Sequence, residues 1–202
     1  RLEGIHADAR VNTLISQWNG NQQSSGWTMG VTSAKSRYSP RNFIMQLVGR
    51  NPGGDLEYEV VASGLHVPLN VPVLLAVAVD PQPNGAGKVT FYLKDLSKPD
   101  AKMQKAEISH NIVGGIRRKG EKVLVGGRNG GSHLWNGKIA RVTVVPELLG
   151  EHQLMKKDNA IVDLVVLAPK KPSSVMRWMH GSKAPKKRSR TQEAFADFCH
   201  AL

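Results

Sequence analysis

Residues 123–145 read VLVGGRNGGSHLWNGKIARVTVV, two Val-rich runs around Gly126, Gly127, Gly130, Gly131 and Gly137. Such a stretch is either a phosphate loop or a chain reversal between strands. A Walker loop needs Gly, four residues, then Gly-Lys-Ser/Thr. Here Gly137-Lys138 is followed by Ile139, and Ser132 stands where the first glycine belongs. A dinucleotide loop needs glycines at i, i+2 and i+5 before a helix. Arg128 stands two residues after Gly126, and KIARVTVV alternates like a strand. The hairpin reading is favoured, because glycine supplies the positive φ of tight turns and permits bulges.

Working outward, strand signals dominate up to about residue 146. TLISQW (13–18) ends in the turn NGN, and GWTMGVT (26–32) alternates. NFIMQLVG (42–49) is β-rich and is followed by NPGGD, a strong turn. LEYEVVAS (56–63) alternates, and VPVLLAVAVD (71–80) is apolar throughout, as expected of a strand buried on both faces. KVTFYLKDL (88–96) alternates after the turn PQPNGAG, and KAEISHNI (105–112) is a weaker strand. Short strands between Gly/Pro/Asn turns, without a βαβ rhythm, predict an all-β antiparallel sandwich.

The character changes after Pro146. PELLGEHQLMK suits one helical turn or a short helix, and IVDLVVLAP (161–169) reads as a trailing strand. Residues 170–190 form a basic Pro/Ser/Lys linker. TQEAFADFCHAL (191–202) reads as a C-terminal helix, capped by Thr191, with a stripe of Ala194, Phe195, Phe198, Ala201 and Leu202. The chain opens RLEGIH, without Met or an apolar leader, which suggests a piece of a longer protein.

The 202 residues suffice for one sizeable domain of about 150 residues plus a tail. No apolar run is long enough to span a membrane. Net charge is +12, which permits anionic partners such as acidic polysaccharide or nucleic acid. The charge is spread, however: residues 1–150 hold 18 Lys/Arg against 11 Asp/Glu, and residues 151–202 hold 10 against 5. The densest cluster, GSKAPKKRSR, reads better as a solvated linker than as a nucleic-acid site. Cys199 is the single cysteine, so no internal disulfide and no Cys-based zinc site forms, and Cys199-His200 lacks the first cysteine of a haem-attachment motif.

The motifs in order resemble a laminin-G-like, concanavalin-A-like jelly roll. They are TLISQWNGN followed by GWTMGV, then GLHVPLNVPVLLAVAVD, GKVTFYLKDLS and finally VLVGGRNGGSHLWNGKIARVTVV. Val125-Gly126-Gly127 and Trp135-Asn136-Gly137-Lys138-Ile139 match the last element, over roughly residues 10–150. GWTMGVTSAKSRYSPRNFIMQLVG, YEVVASGL and AFADFCHAL are similar to the version inserted in large Planctomycete proteins that also carry c-type cytochrome domains. The resemblance implies an inward-packed Trp135, an extracytoplasmic or cell-surface setting, and a missing first strand that leaves the domain N-terminally incomplete. Residues 191–202 are then the end of a host domain.

Catalysis is not expected. Asp55, Glu57 and Glu59 share one strand face, but in the order Asp-x-Glu-x-Glu rather than the glucanase order. The seven histidines are scattered, with no His-Glu-x-x-His and no nucleophile elbow. The expected role is carbohydrate or acidic-polymer recognition, or a purely structural interaction with the rest of the parent protein. Tyr38 and Arg41 in KSRYSPRN, and Arg128, Asn129 and His133 in the glycine-rich loop, are the ligand-binding candidates; Arg37 joins them as a partner for carboxylated or sulfated sugar. Trp18 and Tyr92 read as core. No cofactor is expected. Calcium remains an option, through Asp80 and Asp95 at strand ends, and any metal stays open.

Overall fold

A computed structural model describes residues 1–82, 86–116, 122–129, 131–145 and 148–154. In chain order the strands are β1 (Asn12–Gln17), β2 (Gly26–Val31), β3 (Asn42–Arg50), β4 (Leu56–His66), β5 (Val73–Asp80), β6 (Gly87–Asp95), β7 (Gln104–His110) and β8 (Leu124–Val125). One helical turn, α1 (Glu151–Leu154), falls in PELLGEHQLMK as expected. The readings placed on residues 155–202 (most of the trailing segment, the basic linker and the C-terminal helix) lie outside the described residues.

The strands form two antiparallel sheets. One has five strands in the order β4-β3-β2-β1-β8, the other three in the order β5-β6-β7. The alternation of β3 explains how they pack. Phe43, Met45 and Leu47 point to the second sheet and are buried with Val31, Val61, Val89, Phe91 and Leu93. Phe43 meets Phe91 edge-on across the two sheets, 5.2 Å between ring centres at 74°. Near β4 and β7 the sheets are tied by hydrogen bonds from the segment that follows β7. The Asn111 N–H donates to the Glu59 carboxylate at 2.8 Å, and Arg50 exchanges hydrogen bonds with Val113 and Gly114.

Two sequence expectations are corrected. VPVLLAVAVD is a strand but is not buried on both faces: β5 is half-buried along its length, at an edge of the three-stranded sheet among the described residues. Val73, Leu75, Val77 and Val79 pack on the core. KIARVTVV is not a strand either. Ile139 and Val142 drop into the core instead, while Gly137 bridges to Leu2. The reversal itself lies where the glycines placed it. The Trp135 N–H donates to the Gly126 carbonyl at 2.9 Å and the Arg128 N–H to the Ser132 carbonyl at 3.0 Å, with φ of 79° at Gly126. Trp135 packs inward with the core cluster. Leu2 is fully buried, bridging to both Leu69 and Gly137.

Candidate functional site

The side of the five-stranded sheet turned away from the core carries the polar chemistry. In register across the strands stand Ser16 on β1, Thr28 on β2, Gln46 on β3 and Val60 on β4. Thr28 Oγ1 donates to Ser16 Oγ at 3.1 Å. Two residues further along β2, β3 and β4 come Gly26, Val48 and Tyr58, with Trp18 just past the end of β1. Trp18 reaches over Gly26 and stacks on Tyr58, 5.6 Å between ring centres at 23°. Glycine is required there: a Cβ at residue 26 would sit 2.6 Å from Trp18 Cδ1.

Arg128 enters this cluster from the loop after β8. Its guanidinium carbon lies 5.0 Å from the centre of the Trp18 ring, a cation–π geometry. Its Nη2 donates to Gln46 Oε1, and Gln46 Nε2 lies 2.6 Å from the Tyr58 hydroxyl and donates to it. Four side chains thus form a closed circuit: Arg128 to Gln46, Gln46 to Tyr58, Tyr58 to Trp18, Trp18 to Arg128. Trp18 is 3% exposed and Arg128 7%, whereas Tyr58 is half-buried.

The electrostatics are one-signed. Burial pulls Arg128 down to about 10, still fully protonated near neutrality, and Nε is sealed from solvent without a partner. Burial raises the Tyr58 hydroxyl above its ordinary value, opposed by the Gln46 hydrogen bond and by the charges of Arg128 and Arg37. Arg37 is exposed; its Nη2 donates to the Tyr38 hydroxyl at 2.6 Å and its guanidinium lies 4.8 Å from that ring's centre. Among the described residues no carboxylate forms an ion pair with either arginine.

The sequence candidates divide. Arg128 lies at the centre, whereas the half-buried Tyr38 side chain accepts the Arg37 guanidinium hydrogen bond. Arg41 instead shapes the β2–β3 connection, with φ of 61°, its N–H donating to Thr32 and its carbonyl accepting from Val67. Asn129 is exposed at the loop tip. His133 supports the loop: Nδ1 accepts the Val11 N–H at 3.0 Å and its carbonyl accepts the Thr13 N–H. Burial, then Arg128, His6 and Arg10, lower its pKa to about 4. Trp18 and Tyr92 are both buried, but neither belongs to the core between the sheets as read: Trp18 lies on the outer face of the five-stranded sheet, and Tyr92 alternates with the core-facing Phe91 and Leu93 on β6.

Two of the three carboxylates serve the local structure. Glu57 accepts from Asn51 Nδ2 and Glu59 from the Asn111 N–H, whereas Asp55 closes the Asn51 turn through its backbone N–H, which donates to Asn51 Oδ1. Asp80 and Asp95 sit at opposite ends of the β5–β6 hairpin, about 23 Å apart at strand spacing, so they cannot share one ion. Among the described residues no group of three or more His, Cys, Asp or Glu is placed to hold a metal, and no helix is long and apolar enough to cross a membrane.

Sequence reasoning missed Gln46 and Tyr58. The signal was present: in NFIMQLVG the one polar interior position falls opposite Phe43, Met45 and Leu47, and in LEYEVV Tyr58 falls opposite Glu57 and Glu59. No protein-family model, no curated protein and no solved structure matches the chain.

Proposed function

We propose that residues 1–150 are a laminin-G-like, concanavalin-A-like jelly roll. It acts as a non-catalytic carbohydrate- or polymer-recognition module of a larger extracytoplasmic protein. One observation carries this reading. Aromatic, amide and cationic side chains from four separate segments, Trp18, Gln46, Tyr58 and Arg128, converge on the outward face of the five-stranded sheet. Tyr58 and Tyr38, both half-buried, give a sugar ring something to stack on. The buried Trp18 holds Tyr58 in place. Two antiparallel sheets and the turn-bound carboxylates fit a binding role rather than hydrolysis, which needs two free carboxylates flanking a bond.

The test is a glycan-array screen of the folded chain, run with calcium and with EDTA. Selective binding that Tyr58→Ala weakens is the expected result. Silence in both buffers overturns the reading. It would favour a structural insert whose partner is the rest of its own protein, a role to which the near-complete burial of Trp18 and Arg128 is also suited.

A further inference from the structure

Gln46, not a glutamate, faces the buried Arg128. Burying a guanidinium without a counter-charge is unfavourable, and a carboxylate at residue 46 would offset it in nearly the same volume. The amide accepts one N–H bond and leaves the positive charge uncancelled. Among the described residues, the Trp18 ring face compensates it in part. Arg128 has five N–H donors. Gln46 is the one hydrogen-bond acceptor it meets among the described residues, and Nε is sealed and unused.

The remaining hydrogen-bonding capacity points the same way. Gln46 Nε2 donates to the Tyr58 oxygen, so the Tyr58 O–H proton is left to donate elsewhere. Arg37, exposed beside Tyr38, adds a second guanidinium within electrostatic reach of Tyr58. The ring of groups around Tyr58 therefore presents donors and positive charge to an incoming group. Its complement is a group that only accepts and is negative.

We propose that the outward sheet face at Tyr58 and Arg128 binds an oxyanion substituent of a glycan, a carboxylate or a sulfate ester, with Arg128 as the residue that selects acidic over neutral chains. This rests on the recognition reading above. The small acid group reaches toward Arg128 while the sugar ring lies against Tyr58 and Tyr38. A charge-assisted contact in so dry a place is strong and geometrically selective.

Matched polymer pairs test it, at about 0.15 M salt so that diffuse attraction to the basic chain is screened. Polygalacturonate is compared with its fully methyl-esterified form, and dextran sulfate with dextran. At least one acidic member is expected to bind about thirtyfold more tightly than its neutral partner. The pair that shows the preference identifies carboxylate or sulfate as the source. Arg128→Met should erase the preference, and Lys102→Gln, at an exposed site away from the cluster, should leave it intact. Gln46→Glu decides the matter if Arg128→Met does not fold. An internal carboxylate should raise the melting temperature and abolish the acid preference together. A raised melting temperature with the preference intact would overturn the inference. So would equal affinity for acidic and neutral chains, which leaves the recognition reading standing, or a loss in Lys102→Gln as large as in Arg128→Met. Binding to no member of either pair, acidic or neutral, overturns both.

Discussion

Trp18 and Tyr58 stack face to face although their strands are separated by two others in the five-stranded sheet. The contact spans β2 and β3 because Gly26 has no side chain beneath the indole. A methyl group there would also approach the Gln17 carbonyl at 2.7 Å. Gly26→Ala is therefore expected to destabilise the domain by about 1–3 kcal/mol, as overpacking does. It should also change the Trp18 emission. Urea denaturation followed by fluorescence measures both.

Phe43 and Phe91 tie the sheets at the centre of the core, both fully buried. Phe43→Ala should cost about 3–5 kcal/mol by lost burial and a cavity that rigid sheets cannot close. Phe43→Leu should cost clearly less. Calorimetric melting of the two variants provides the comparison.

Gly87 lies against the ring of buried His110, where an added Cβ would fall 2.3 Å from Cε1. His110 cannot swing aside freely, since its Nδ1 accepts the Ile112 N–H at 3.2 Å. Gly87→Ala should lower stability by about 1–3 kcal/mol and loosen the β6–β7 pairing. Amide hydrogen exchange at Val89 and Ile108, which are register partners, reports it.

His133 makes the fold acid-sensitive. Its pKa in the fold is lowered to about 4, chiefly by burial and next by the charge of Arg128. In the unfolded chain a histidine titrates at about 6.5, so on acidification the unfolded chain takes up the proton first. Stability is complete above about pH 6.5 and is lost progressively toward about 4. His110, also lowered by burial, acts in the same direction. Asp95 and Glu107, held low by hydrogen bonds from Ser97 and Lys105, lose stability too as pH falls. The His133 share is isolated with His133→Asn, whose amide oxygen can still accept the Val11 N–H and whose backbone tolerates the φ of 54°. The variant should match the parent at pH 7 and exceed it at pH 5 in urea titrations.

Most strands were legible because alternation and turn residues are local. NFIMQLVG and KVTFYLKDL show on paper which side faces the core. VPVLLAVAVD misled because continuous apolarity suggests cover on both faces, while only Val73, Leu75, Val77 and Val79 pack on the core and the whole strand is half-buried. KIARVTVV misled because two well-placed apolar side chains, Ile139 and Val142, can fill a core without belonging to a ladder. At the site, Arg128 and Tyr38 stood out as cations and aromatics in polar loops. Gln46 and Tyr58 did not, because their meaning depends on register: only when β3 pairs with β4 does Gln46 come within reach of the Tyr58 hydroxyl.

The pairing of Ile15 with Val125 joins segments from opposite ends of the domain. Closing so long a loop is entropically slow, and strands adjacent in sequence such as β2, β3 and β4 meet first. During synthesis Trp18, Gln46 and Tyr58 leave the ribosome well before Arg128 does. The nascent sheet then shows an uncovered aromatic face to its surroundings until β8 docks. The cluster of Trp18, Gln46, Tyr58 and Arg128 is complete only once β8 has docked, and a chain halted before β8 is the form most exposed to chaperones and to aggregation.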